Sequence, residues 1–218
     1  MIVTLDGPAG VGKSSVARLL AERLDFEFLD TGAMYRTVAL AAQEANAELT
    51  SEPALADLLK RVRVGFRPAQ AFLNGQDVTD RIRDPQVTRV AGIIAQSPTI
   101  RTYLVKLQRV MAAGRDLVTE GRDQGTVVFP DARCKFFLTA IPRERAARRV
   151  RDLALRGIVV SLEEVLKDQE ERDARDASRA VGPMKAADDA VHVDTTGMTL
   201  DEVACFLEEE INRRRSEA

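Results

Sequence analysis

Residues Gly7 to Ser14 read GPAGVGKS, between the apolar run Met1-Ile2-Val3-Thr4-Leu5-Asp6 and a helical pattern opening Ser15-Val16-Ala17-Arg18-Leu19-Leu20. This is the G-x-x-x-x-G-K-[ST] phosphate-loop spacing in its strand–loop–helix setting. No other feature restricts the fold as much, because a ligand site of this kind forms where a strand of an open α/β sheet ends at its carboxyl side. Glycines 7, 10 and 12 allow successive backbone N–H groups to point into one concavity, and the following helix adds its positive end. Lys13 is placed to reach the outer phosphates of a triphosphate, and the Ser14 hydroxyl to help hold Mg²⁺. The expected cradle is therefore Gly7, Pro8, Ala9, Gly10, Val11, Gly12, Lys13, Ser14 and Ser15.

The rest of the chain reads as an α/β alternation with one interruption. Short apolar runs at 2–6, 26–29, 117–120, 135–140 and 190–194 are each expected to be strands, and nearly all precede a helical pattern, as in a parallel sheet covered on both faces. Helical periodicity marks 15–24, 33–44, 99–113, 143–155, 162–175 and 200–214. Between helical segments 54–60 and 86–95, the stretch RVRVGFRPAQAFLNGQDVT (61–79) alternates and carries Asn74-Gly75, which predicts a small antiparallel hairpin on the rim of the core. The expected fold is a three-layer α/β/α core with a five-stranded parallel sheet, a small antiparallel insertion and a helical lid. The corresponding partition is core 1–50, 86–150 and 176–218, insertion about 51–85, and lid about 151–175.

Composition narrows the partners. With 32 Lys and Arg against 34 Asp and Glu, there is no bulk positive field to favour a nucleic acid polymer. The 218 residues, 45% hydrophobic, suffice for one main core. No apolar run has membrane-spanning length and no secretory pattern opens the chain. Cys134 and Cys205 are too few for a disulfide framework and read as core-filling residues. A cytoplasmic monomer is expected.

Arginines then choose among phosphate-loop chemistries. A guanine-nucleotide switch needs an Asn-Lys-x-Asp signature, and the chain contains no Asn-Lys pair. It carries instead Arg36 in LDTGAMYR, Arg122 and Asp123 in TEGRDQGTVVFPDA, and Arg172, Asp176 and Arg179 in ERDARDASR. The strand at 117–120 runs directly into Gly121-Arg122-Asp123, so Arg122 and Asp123 should project into the crevice faced by Lys13. Two phosphates brought together repel, and several fixed guanidiniums would hold both and stabilise a phosphoryl group in flight.

These segments resemble the bacterial cytidylate kinases over nearly the whole chain, EGRDQGTVVFPDA being the most diagnostic. The resemblance implies transfer of phosphate from ATP, with Mg²⁺, to CMP and dCMP, and closure of the insertion and of a lid around 151–161 over the bound substrates. It implies that Arg36, Arg122 and Arg179 grip the acceptor phosphate, that Asp176 and Arg172 contact the sugar, and that Arg101 and Asp123 read the cytosine edge. Thr31 stands where the family usually has a serine lining the same pocket. Gly92 departs from the pattern, since the family places a serine there against the base.

Other residues stay open at this level. Arg145, Arg148 and Arg149 lie at i, i+3 and i+4 on one helix and either converge toward the donor phosphates, with Arg149 a candidate ATP contact, or serve as a solvated surface. Arg172, Arg175 and Arg179 among acids also suit a salt-bridged face. Glu120 ends a strand where an acid can hold Mg²⁺ through water, or orient its neighbours. His192, the only histidine, sits in the apolar pattern Val191-His192-Val193 and reads as structural. Alternatives to the CMP reading are a kinase of UMP and CMP or of another small metabolite on the same core, and an ATP-binding regulatory module that transfers nothing. An arginine-rich second phosphate site counts against the module.

Overall fold

The computed structural model describes residues 1–67, 69–155 and 157–216. Position 68 of the expected hairpin and position 156 of the expected lid lie outside the described residues. In chain order the elements are β1 (Ile2–Asp6), α1 (Lys13–Leu24), β2 (Glu27–Asp30), α2 (Thr31–Glu44), α3 (Glu52–Arg61), β3 (Val64–Arg67), β4 (Gln70–Leu73), β5 (Gln76–Asp77), α4 (Pro85–Ile94), α5 (Pro98–Ala112), β6 (Leu117–Glu120), β7 (Cys134–Thr139), α6 (Pro142–Ala154), α7 (Leu162–Ala177), β8 (Val191–Asp194) and α8 (Leu200–Ser216). The chain divides into two compact units, Met1–Leu29 with Gly114–Ala218, and Asp30–Ala113. Helices α2, α4 and α5 thus group with the inserted strands.

The first unit is built on a five-stranded sheet of order β2-β6-β1-β7-β8, with β1 parallel to both β6 and β7, and β7 parallel to β8. This is the α/β class expected from the sequence. Its core joins Val3 and Leu5 of β1, Phe136 and Leu138 of β7, Leu20 of α1, and Leu207 and Ile211 of α8. Full burial of each such side chain contributes about 1.5–3 kcal/mol, which is why apolar residues dominate the central strands. Cys134 lies in this core. Cys205 does not: it is exposed on α8, where its neighbours in the sequence, Ala204 and Leu207, take the buried positions and turn it outward.

The second unit carries the interruption as three antiparallel strands, β3-β4-β5, rather than one hairpin. Asn74-Gly75 joins β4 to β5, both residues having positive φ (52° and 85°), the pairing that a tight twisted hairpin turn needs. Asn74 does more than turn the chain. Its side chain accepts the Arg63 N–H at 2.9 Å and its own N–H donates to the Arg63 carbonyl at 2.7 Å, tying the turn to the start of β3. Met34, Val38, Leu55, Ile94, Ile100 and Leu104 are fully buried among the helices of this unit.

Candidate functional site

The phosphate loop leaves β1 through a backbone that only glycine can follow. Gly7 has φ +142°, and a Cβ there would sit 2.1 Å from the Leu138 carbonyl oxygen of the neighbouring strand. The loop ends at Gly12, the residue before α1. No side chain caps this helix. By contrast α2, α3, α4, α5 and α7 open on Asp30, Ser51, Asp84, Ser97 and Ser161, each accepting a first-turn N–H. The amino end of α1 therefore keeps its N–H groups and positive dipole end for an anion.

Lys13 opens α1 and is buried, its Nζ donating to the Pro8 carbonyl at 2.6 Å across the loop. Burial, reinforced by the positive charges of Arg122 and Arg172, lowers its pKa well below the usual lysine value, against the opposing carboxylates of Glu120 and Asp6. The balance of burial and neighbouring arginines outweighs these carboxylates, and the added negative charge of a polyphosphate would reverse it.

Next to it the Ser14 hydroxyl donates to Glu120 Oε1 at 3.0 Å. Glu120 is buried at the carboxyl end of β6, in register with Leu5 of β1. A hydroxyl and a carboxylate side by side form an all-oxygen pair of the sort a hard divalent cation accepts. No cluster of three or more His, Cys, Asp or Glu side chains exists among the described residues. The donors present thus fit Mg²⁺ arriving with a nucleotide's phosphates and keeping several waters.

Asp6 ends β1 just before the loop, buried. Its two carboxylate oxygens accept the N–H groups of Gln124 and Gly125 at 2.9 and 2.8 Å. These residues begin a wide turn of π-helix, 124–128, closed by the Val128 N–H on Asp123 O and the Phe129 N–H on Gln124 O. Such turns are rare and concentrate at functional sites. The turn is missing from the sequence reading, and it is what ends the 117–123 stretch with Arg122 and the buried Asp123 fixed beside the phosphate loop's own strand. Burial pushes the Asp6 carboxyl up to about 6, against the pull of the two N–H bonds.

Arg122, Asp176 and Arg179 form one network. Arg122 Nε donates to Asp176 Oδ2 at 2.8 Å, and its Nη1 donates to the Gly121 carbonyl at 3.1 Å. Arg179 Nε donates to the Asp176 carbonyl at 3.3 Å, with its Nη2 3.7 Å from Asp176 Oδ1. Burial works against the Asp176 charge, yet Arg122, Arg179 and Arg172 together hold its carboxyl below the usual value. Arg172 is exposed on α7, near enough to Lys13 to repel its charge.

The three arginines of α6 go separate ways. Arg145 is buried and donates to the Ala9 carbonyl at 2.7 Å and to Asp173 Oδ2 at 2.5 Å. Arg148 donates to Thr195 and Glu144. Arg149 is exposed. Asp173 and Gln169 went unnoticed in the sequence, although they share a helical face with Arg172 and Asp176, a spacing that was there to be read.

In the second unit, Asp30 caps α2 by accepting the Ala33 N–H at 2.7 Å and stands 3.5 Å from Arg36 Nη2. Thr31 is buried in the first turn of that helix. Arg101 is buried on α5 and donates to the Tyr35 hydroxyl at 3.2 Å and the Ala95 carbonyl at 3.4 Å. Gly92 is exposed on α4, and a Cβ there would meet nothing within 4 Å.

A family model described as cytidylate kinase matches residues 3–213. The chain belongs to the cytidylate kinase family. A cytidylate kinase of Rhodopirellula baltica is 50% identical over 203 residues, covering 93% of this chain and 89% of that relative. One of Pelotomaculum thermopropionicum is 44% identical over 220 residues, covering 99% and 97%. Among solved structures, an uncharacterized protein from Eubacterium ventriosum aligns with TM-score 0.55 at 12% identity over 98% of both chains, a likeness of fold alone. Within the cytidylate kinase frame, the first unit brings together the loop, Lys13, Ser14, Glu120, Arg122, Asp176 and Arg179, while Arg149 is exposed on α6.

Proposed function

We propose that this cytidylate kinase family member transfers the γ-phosphoryl group of ATP to CMP and dCMP, giving CDP and dCDP. The uncapped, glycine-turned start of α1, with buried Lys13 across it and the Arg122–Asp176–Arg179 network in the same unit, is the observation that carries this reading. The 7–15 segment holds the donor phosphates, and Arg149 is the candidate contact to ATP from α6. Arg122 and Arg179 take the acceptor phosphate, Asp176 and Arg172 the sugar, and Asp123 the base. From the second unit Arg36 is assigned to the acceptor phosphate, and Thr31 and Arg101 to the base. Residues 51–85 serve as the acceptor insertion and 151–175 as the lid. A cytoplasmic monomer completes the reading.

An acceptor phosphate is largely ionised at neutral pH, so no general base is required. What these residues must supply is alignment, neutralisation of charge and exclusion of water from a phosphoryl group that would otherwise pass to it. Lys13 neutralises the outer phosphates from the donor side, and the guanidiniums of Arg122 and Arg179 do so from the acceptor side. Ser14 and, through water, Glu120 would hold Mg²⁺, which when bound neutralises charge on the donor phosphates.

ADP release is measured with ATP and each of CMP, dCMP, UMP, AMP and GMP. High turnover on CMP and dCMP, little on AMP and GMP, and near-abolition in Lys13→Ala are expected. Equal turnover of all acceptors, or ADP release that ignores them, refutes the reading.

A further inference from the structure

Helix α7 touches the phosphate loop at two points one turn apart. Asp173 Oδ1 accepts the N–H of Ala9 at 2.9 Å. Its other oxygen pairs with Arg145, whose Nη1 also donates to the carbonyl of Ala9. Both polar backbone groups of one loop residue are therefore engaged by a single, largely buried ion pair, with side-chain exposures of 7% and 15%. Four residues earlier, Gln169 Nε2 donates to the Arg145 carbonyl at 3.3 Å and comes so near the loop that a Cβ on Gly10 would lie 2.5 Å from it.

We infer that Asp173, supported by Arg145, is a positioning residue that sets the conformation of the phosphate loop from α7. Three facts carry this. The N–H and C=O of Ala9 cannot rotate independently while both are held, so the peptide planes feeding the cradle are fixed. The holding groups are charged, and hydrogen bonds to charged groups are about twice as strong as neutral ones. Gln169, Arg172, Asp173 and Asp176 fall at i, i+3, i+4 and i+7, one continuous face of α7. A rigid helix thus contacts the loop with 169 and 173 and presents 172 and 176, whose charges already act on Lys13 and Arg122. Asp173 touches neither substrate; it acts through Ala9.

The inference rests on the proposed kinase reading for ATP as the ligand of the loop, and its test separates the two. ATP·Mg²⁺ is titrated calorimetrically, without acceptor, into the wild-type protein, Asp173→Ala, Asp173→Asn and Arg145→Ala, with circular dichroism and thermal melts alongside. Transfer to CMP is then followed for each. Asp173→Ala is expected to weaken ATP binding about tenfold, the scale of one lost hydrogen bond to a charged group. The KM for CMP stays within about twofold of wild type, well under the tenfold step of 1.4 kcal/mol. Asp173→Asn, whose carbonyl can still accept from Ala9, is expected between the two. Arg145→Ala in the Asp173→Ala background adds less than it does alone.

Unchanged or tighter ATP binding in a folded Asp173→Ala protein overturns the inference, because a carboxylate that merely competes with phosphate gives that sign. An equal rise in the ATP and CMP constants with a lowered melting temperature also overturns it, since that is general loosening. If Asp173→Ala does not fold, Asp173→Asn decides alone by the same split between donor and acceptor. A wild-type protein that binds ATP but leaves CMP untouched refutes the kinase reading, while the ATP titrations still judge Asp173.

Discussion

Asp6 makes a quantitative statement about stability. Its carboxyl is buried at the foot of the phosphate loop and pushed up from 3.8 to about 6 by burial, with the Gln124 and Gly125 N–H groups opposing. A shift of this size corresponds to about 3 kcal/mol against the ionised form in the folded protein. The sign follows from the two states. Well above pH 6 Asp6 is ionised both folded and unfolded, and the full penalty is present. As the pH falls from 6 toward 3.8, the folded state holds a proton that the unfolded state does not, so folding gains stability. The perturbation is Asp6→Asn, which removes this titration and leaves the other carboxylates in place. Urea unfolding of both proteins is measured from pH 8 down to 4.5, and the quantity of interest is the difference between their unfolding free energies. That difference should be flat above about pH 7 and shift in favour of the wild type by about 2 kcal/mol by pH 4.5. A difference that stays flat throughout, or moves toward the variant, refutes the argument that desolvation outweighs the two N–H bonds.

Other expectations follow from single sites. Because burial depresses the Lys13 pKa in the free protein, binding of ATP should raise it; calorimetry over a series of pH values in two buffers of different ionisation enthalpy should show proton uptake that grows as the pH rises, and identical enthalpies at every pH would dismiss it. Asn74→Ala combines a positive φ on a β-carbon residue with loss of the bond to Arg63, and should cost about 1–2 kcal/mol, a fall of about 2–8 °C in melting temperature. Gly92→Ser adds a side chain in open space on a helix, so it should stabilise by about 0.5 kcal/mol. If that position faces the base, the same variant raises the preference for CMP over UMP in the acceptor panel, and an unchanged preference argues that it does not.

The strands and most helices were legible because each is a local pattern. The apolar run 2–6, the periodic helical segments and the GPAGVGKS spacing all announce themselves within a few residues. What escaped was set by distant partners. Gln124-Gly125-Thr126-Val127-Val128 carries β-branched residues and looks extended, yet it coils because the carboxylate of Asp6, more than a hundred residues earlier, takes two of its N–H groups. Asn74-Gly75 announces the turn from β4 to β5, but not that the stretch before it divides into two strands, β3 and β4, paired antiparallel. The charges of α6 and α7 were the hardest case. Periodicity identifies which side chains share a face, but not that Arg145 and Asp173 turn toward Ala9 while Arg149 stays in solvent.

The two cysteines also give the protein a practical handle. Cys134 is sealed in the sheet, and burial raises its thiol pKa, so it should resist alkylation. Cys205 is exposed on α8, with Arg23 donating to its sulfur at 3.2 Å. A maleimide fluorophore should therefore attach at one native position, without mutagenesis. It would report from the helix that packs on α1, the element whose uncapped end receives the phosphates.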